Sequence, residues 1–388
     1  MFGFRLPTRV TLEPGSSRRS AEALEALGAA KTLVVVDPGL ASTPWPERLV
    51  HDLAGAGIET TIFDDVAANP RTASAERAAE LARDGGFEAI VGLGGGSVLD
   101  AAKAAAMLAT NPGRAGDYEG RNRFSEAPLP FIAIPTTCGT GSEVTWVSVL
   151  TDEESRRKIS LKGDGMFPDF ALVDADLVAS LPPALIASTG LDALTHALEA
   201  LTSKASNPVS DALASEAARL LLGHLEGAVA GVSEDGVARD RAAVVRASTL
   251  AGIAFGNADV GAVHCLSETL GGFYDVPHGL ANAILLVPVL RHQLPANHGR
   301  LAALAETVLD ERPSSEERGL AEALLAQIEG LVARLGISSF ADLGIPDSDD
   351  TEIAEAATRN GSNDSNPMPM RTADYHEILM RLRGAEAG

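Results

Sequence analysis

Up to about Asp174, short runs of β-branched residues alternate with alanine-rich stretches, and past Leu181-Pro182-Pro183 those runs stop. Residues 33–36, 60–63, 89–93 and 131–134 read as strands, while residues 73–83 and 98–108 carry Ala and Leu at helical spacing. Strand and helix in alternation predict crossover units around a mostly parallel sheet. Beyond the proline pair, Ala, Leu and Glu recur every three or four residues, which predicts a helical second half, and the prolines suit the first turn of a helix. At 388 residues the chain exceeds one comfortable core. We therefore expect two domains, an α/β domain over residues 1–181 and an all-helical domain over residues 182–388, with residues 360–367 as a loop inside the second.

A net charge of −22 repels phosphate backbones and anionic lipid, which argues against nucleic-acid and membrane-surface partners. No apolar run has signal-peptide length at the amino terminus or membrane-spanning length elsewhere, so the expected location is the cytoplasm. The two cysteines, Cys138 and Cys265, fall inside dense motifs rather than in a spaced framework and are expected as thiols.

Two loops at predicted strand ends suggest a ligand crevice. Gly92-Leu93-Gly94-Gly95-Gly96-Ser97 follows a strand and opens a helix, where backbone N–H groups can approach a diphosphate. Its spacing is not that of the Rossmann fingerprint, and such turns also serve as plain tight connections. A second loop, Pro135-Thr136-Thr137-Cys138-Gly139-Thr140-Gly141-Ser142-Glu143-Val144-Thr145, follows another strand, and its hydroxyls suit either a ligand or turn backbone. Asp37 ends the first strand. It reads equally as a turn residue ahead of Pro38-Gly39 or as an acceptor for ribose hydroxyls that would repel a 2′-phosphate and so favour NAD over NADP.

Asp192 and His196 are four residues apart in a helical stretch and so share one face. His264 and His278 lie downstream in apolar or glycine-flanked contexts. One carboxylate and three imidazoles suit Fe²⁺ or Zn²⁺ with a position left open, although an Asp/His pair at this spacing is also a common surface ion pair.

On these residues the chain resembles the iron-containing, group III alcohol dehydrogenases, related to lactaldehyde reductase and propanediol dehydrogenases. The match runs nearly end to end, through residues 94–103, residues 136–145, Leu181-Pro182-Pro183, residues 192–199 and Pro277-His278-Gly279. The resemblance implies an N-terminal α/β nucleotide-binding domain and a helical, metal- and substrate-binding C-terminal domain, with cofactor and metal facing each other across a cleft. It implies Asp192, His196, His264 and His278 as ligands of a divalent metal, Fe²⁺ ahead of Zn²⁺, and NAD as cofactor. Asp37 would meet the adenosine ribose and Gly95, Gly96 and Ser97 the diphosphate. Asn69, Asp100, Thr136, Thr137, Thr140, Thr145, Val147, Lys158 and Leu177 match further cofactor positions. The implied substrate is a small alcohol or aldehyde, and we expect a homo-oligomer, a dimer or larger.

One position departs from the family pattern. Many relatives carry a second histidine four residues after the third ligand, near the nicotinamide, and Glu268 stands there. We read Glu268 as a proton relay, with a role beside the metal ligands or in selectivity as alternatives. A dehydroquinate synthase-like lyase would need clustered Lys and Arg that the segments around Asp192, His264 and His278 lack. A metal-free maleylacetate reductase relative would not keep the whole ligand set. A non-catalytic NAD- or metal-binding protein is the remaining alternative.

Overall fold

The computed structural model describes residues 3–155, 157–230, 234–311 and 313–384. They fall into two compact units, one from Arg5 to Leu181 and the other from Pro182 onward together with Gly3 and Phe4.

The first unit holds strands β1 (Arg9–Leu12), β2 (Lys31–Val36), β3 (Glu59–Phe63), β4 (Ala89–Gly94), β5 (Gly120–Arg121), β6 (Phe131–Pro135), β7 (Val147–Asp152), β8 (Arg157–Lys162) and β9 (Phe170–Val173), with helices α1 (Ser20–Ala26), α2 (Trp45–Gly55), α3 (Thr72–Asp84) and α4 (Gly96–Thr110). Six strands form one sheet in the order β1-β9-β6-β4-β2-β3, and every pairing in it is parallel. Apolar side chains leave β2 on both faces. Leu33 and Val35 pack with α3 and α4, whereas Val34 and Val36 pack with α1 and α2. Such two-sided burial is why this strand reads as a continuous Val/Leu run rather than an alternating one.

From β2 the chain passes outward to β3 and then returns to β4 on the other side of β2. That reversal makes the carboxyl ends of β2 and β4 a topological switch point, the usual ligand crevice of an open α/β sheet. A smaller sheet, β5-β8-β7, was not foreseen from the sequence; β7 and β8 are its antiparallel pair.

Among its described residues the second unit holds helices and no strand: α5 (Pro183–Thr202), α6 (Pro208–Ala230), α7 (Glu234–Phe255), α8 (Ala262–Tyr274), α9 (His278–His292), α10 (Leu294–Val308), α11 (Glu317–Arg334), α12 (Asp350–Arg359) and α13 (Thr372–Leu382). Pro182 precedes α5 and Pro183 opens it, where missing N–H groups cost the helix nothing. From residue 190 to residue 202 every side of α5 is buried, against α6, α7 and α9. A helix apolar all round belongs in the middle of a bundle, so the few polar groups on this one need a reason to be there. No helix among the described residues is long and apolar enough to cross a membrane.

Candidate metal centre and cofactor loops

The ionisable residues of α5 are Asp192, His196 and Glu199 on successive turns, all buried. The first turn of α8 supplies His264, and α9 begins at His278. One donor atom from each of Asp192, His196, His264 and His278 lies within 4.8 Å of all the others. His196 Nε2 and His264 Nε2 stand 2.9 Å apart, and His278 Nε2 lies 3.6 Å from Asp192 Oδ1.

These residues fit a divalent cation. Donor atoms bound at about 2.1 Å to a common tetrahedral ion stand roughly 3.4 Å from one another, close to the 2.9 and 3.6 Å of these two pairs. The donor set is also the right one, because neutral imidazoles with one carboxylate suit Fe²⁺ and Zn²⁺. Burial works against ionising Asp192, but the surrounding His196, His278 and His264 and the Asn282 N–H outweigh it and hold the carboxyl below its usual range. A carboxylate buried to 2% exposure among imidazoles is a ready cation ligand.

Glu199 completes the geometry and went unassigned in the sequence. Its Oε1 accepts from the Val263 N–H at 2.7 Å, capping the start of α8, and its Oε2 lies 2.5 Å from His264 Nδ1. With the Nδ1 proton held there, the lone pair of Nε2 points into the cluster. Burial opposes protonation of His264, yet the Glu199 carboxylate prevails and raises the ring above its ordinary pKa. The clue in the sequence was spacing: Glu199 follows Asp192 by seven residues and His196 by three, on the same helical face.

Glu268 lies one turn beyond His264 on α8, half-buried, outside the four-residue cluster. Its Oε2 accepts a 2.6 Å hydrogen bond from Asn360 Nδ2 in the loop before α13. Neither cysteine is in a disulfide; both are buried thiols, and burial pushes the Cys265 thiol well above its ordinary pKa.

In the α/β unit the structure packs the two predicted loops against each other. A Cβ on Gly96 would come within 2.3 Å of Thr140, and one on Gly95 within 3.0 Å of Thr137, so only glycine lets the backbones approach this closely. Gly95 caps α4 and Gly96 opens it, leaving the first-turn N–H groups of α4 directed out of the helix start. The Thr136 N–H donates to the Gly94 carbonyl, and Ser97 Oγ donates to the Ala68 carbonyl next to buried Asn69. Asp37 follows β2, and its Oδ1 accepts from the Gly39 N–H at 2.8 Å, so it serves the turn. Leu177 is buried and lines a small cavity with Leu93, Ile134 and Trp45. Half-buried Lys158 sits on β8 opposite Thr151.

Asp100 is engaged by protein on both oxygens: Oδ1 accepts from Ser142 Oγ at 2.6 Å and Oδ2 from the Val149 N–H at 2.9 Å. Burial raises its pKa. One turn on, Lys103 was overlooked in the sequence. Its buried ammonium reaches the Ser142 and Val147 carbonyls at 2.9 and 2.7 Å, Ser142 Oγ at 3.0 Å and Thr145 Oγ1 at 3.2 Å. Burial pushes its pKa down to about 8 against the pull of Asp100 and Glu143. Together Asp100 and Lys103 tie the threonine loop and the start of β7 to α4.

Comparison with known proteins extends this picture. The family described as iron-containing alcohol dehydrogenase matches residues 7–175, and the C-terminal part of the Fe-containing alcohol dehydrogenase family matches residues 186–382. The 1,3-propanediol dehydrogenase of Klebsiella pneumoniae is 38% identical over 388 residues, 99% of each chain. The NAD-dependent methanol dehydrogenase of Bacillus methanolicus is 33% identical over 380 residues, covering 98% of this chain and 99% of its own. Among solved structures, a 1,3-propanediol oxidoreductase superposes with a TM-score of 0.94 at 36% identity, over 98% of this chain and 100% of that one. The chain belongs to the iron-containing alcohol dehydrogenase family, oxidoreductases that act on CH–OH donors.

Proposed function

We propose that this dehydrogenase interconverts a small alcohol and its aldehyde with NAD(H), using a divalent cation held by Asp192, His196, His264 and His278. The observation that carries the reading is the convergence of those four donors in a buried place, with Glu199 fixing the His264 proton. When bound, the cation supplies a Lewis acid for the substrate oxygen and NAD supplies the hydride acceptor.

The chain's own residues do the rest. Glu199 keeps the His264 Nε2 lone pair on the cluster, and the apolar walls of α5, α8 and α9 keep the ionised Asp192 out of water, where its charge acts strongly on a cation. Gly95, Gly96 and Ser97 at the start of α4 bind the diphosphate, Asp37 the adenosine ribose, and Asn69, Thr136, Thr137, Thr140, Thr145, Val147, Lys158 and Leu177 line the remainder. Asp100 acts on the cofactor through the loop it anchors. Glu268, steadied by Asn360, takes the proton released from the alcohol. Residues 1–181 are then the dinucleotide-binding domain and residues 182–388 the metal- and substrate-binding domain. Fe²⁺ is preferred to Zn²⁺ on the description of the family. The enzyme is taken to work as a cytoplasmic homo-oligomer.

A panel of short alcohols and aldehydes assayed with NAD(H) and NADP(H), after reconstitution with Fe²⁺ or Zn²⁺, tests the proposal. Turnover that needs the metal and favours NAD supports it. Binding of both metal and NAD without turnover of any substrate would return the chain to the non-catalytic reading.

A further inference from the structure

Asn282 lies on α9 one turn after His278 and is fully buried. Its Nδ2 is 2.6 Å from Asp192 Oδ1, 3.2 Å from His264 Nε2 and 3.2 Å from His278 Nε2, so one amide nitrogen touches donor atoms of three of the four cluster residues. Its Oδ1, also buried, has no hydrogen-bond partner. An NH₂ group has two protons and cannot serve three acceptors fully, and a buried carbonyl left without a donor is unfavourable.

Both oddities have one resolution. The NH₂ is the positive end of the amide dipole, and it stands among the lone pairs of a carboxylate and two imidazoles, where a cation would stand. A dication arriving there repels the N–H protons. The side-chain amide is nearly symmetric in shape, and half a turn about its last bond exchanges nitrogen for oxygen.

We infer that Asn282 is a metal-selectivity residue, whose amide oxygen turns toward the bound cation as a neutral oxygen donor beside the Asp192, His196, His264 and His278 set. The inference rests on the reading of that cluster as the metal site. Adding a neutral oxygen to three imidazoles and one carboxylate takes the donor count past four. That count disfavours the four-coordinate arrangement that Zn²⁺ adopts most readily and suits cations that accept more oxygen ligands, such as Fe²⁺ and Mn²⁺. The side chain adds no charge, so the cluster keeps the net charge of its single carboxylate.

The test uses Co²⁺ as a probe in the full-length protein without NAD or substrate, because its visible absorption is intense in four-coordinate sites and weak in those of higher coordination. Wild type, Asn282→Leu and Asn282→Asp are compared by spectrum and by the ratio of Zn²⁺ to Mn²⁺ affinity from chelator competition. The expected result is a weak band in wild type, a stronger band in the Leu variant with the affinity ratio moved toward Zn²⁺ by about 10-fold or more, and a weak band again in the Asp variant, which keeps an oxygen at that position. If the Leu variant does not fold, the Asp variant carries the test: a weak band with a ratio moved toward Mn²⁺ sustains the inference, and an intense band overturns it. Spectra and ratios that coincide in wild type and the Leu variant reduce Asn282 to a packing residue while leaving the metal site intact. A wild-type protein that takes up no Co²⁺ removes the site itself.

Discussion

Replacing Glu199 by Gln changes one atom and should weaken metal binding from a distance. The carboxylate receives two donors on two oxygens, the Val263 N–H at 2.7 Å and the His264 Nδ1 proton at 2.5 Å. Gln offers one acceptor and one NH₂. If its oxygen stays on Val263, the NH₂ faces His264 Nδ1 and stabilises the tautomer with the proton on Nε2, which has no lone pair left for a cation. If its oxygen faces His264, the NH₂ opposes the Val263 N–H and the start of α8 loses its cap. Outer partners of metal-bound histidines are typically worth 10- to 100-fold in affinity, or about 1.4 to 2.7 kcal/mol. We therefore expect Glu199→Gln to bind Zn²⁺ or Co²⁺ more weakly by that factor in chelator competition, with NAD affinity unchanged. Affinity equal to wild type would refute the reasoning and make Glu199 only a helix cap.

Three further outcomes are expected. Lys103 holds its proton less tightly folded than unfolded, so below about pH 8 its buried charge costs the folded state the full difference from 10.5, roughly 3 kcal/mol, and raising the pH from 8 toward 10.5 removes that cost. Unfolding free energies of wild type and Lys103→Met from pH 7 to pH 10 should differ by an amount that climbs in favour of wild type; a flat difference would mean that Lys103 titrates normally. Asp37→Gly should narrow or reverse the preference for NAD over NADP in kcat/KM, whereas an unchanged ratio would leave Asp37 as the turn cap its bond to Gly39 already makes it. Glu268→Gln should keep near-normal metal but displace or remove an ionisation from the pH profile of alcohol oxidation, with partial recovery in Glu268→His; loss of metal would instead make Glu268 a support of the ligand set.

What the sequence disclosed, and what it withheld, follows from the range of the signals. The strands β2, β4 and β6 are buried on both faces and stand out as apolar runs, and the parallel sheet with a helical second half was legible from them. Strands β7 and β8 were not, because they alternate buried and part-exposed residues and Arg157 and Lys158 open the second, so neither forms an apolar run. Strand β1 is short and lies at a sheet edge, where one side needs no apolar neighbour.

At the four-residue cluster, Asp192 and His196 were legible through one helical turn, whereas His264 and His278, in apolar or glycine-flanked contexts, joined them through the family resemblance. Asn282 and Glu199 were not, although each sits on the same helical face as a residue of the cluster, because a polar residue on a helix is ordinary until the helix is known to be buried all round. Lys103 hid for the same reason: at helical spacing in an alanine-rich stretch it reads as a solvated face, and only the fold places it under the threonine loop. The lyase alternative is set aside by the family to which the chain belongs.

The central claim is that the four-residue cluster holds the cation on which turnover depends. Metal content and aldehyde-dependent NADH oxidation, measured on the same samples of wild type and His278→Ala before chelation, after chelation and after return of Fe²⁺ or Zn²⁺, test it most directly. The account predicts that wild type loses and regains metal and turnover together, while His278→Ala remains folded, binds NAD, and holds little metal and little activity throughout. Wild-type metal content in the variant, or undiminished turnover by the metal-stripped wild type, would contradict it.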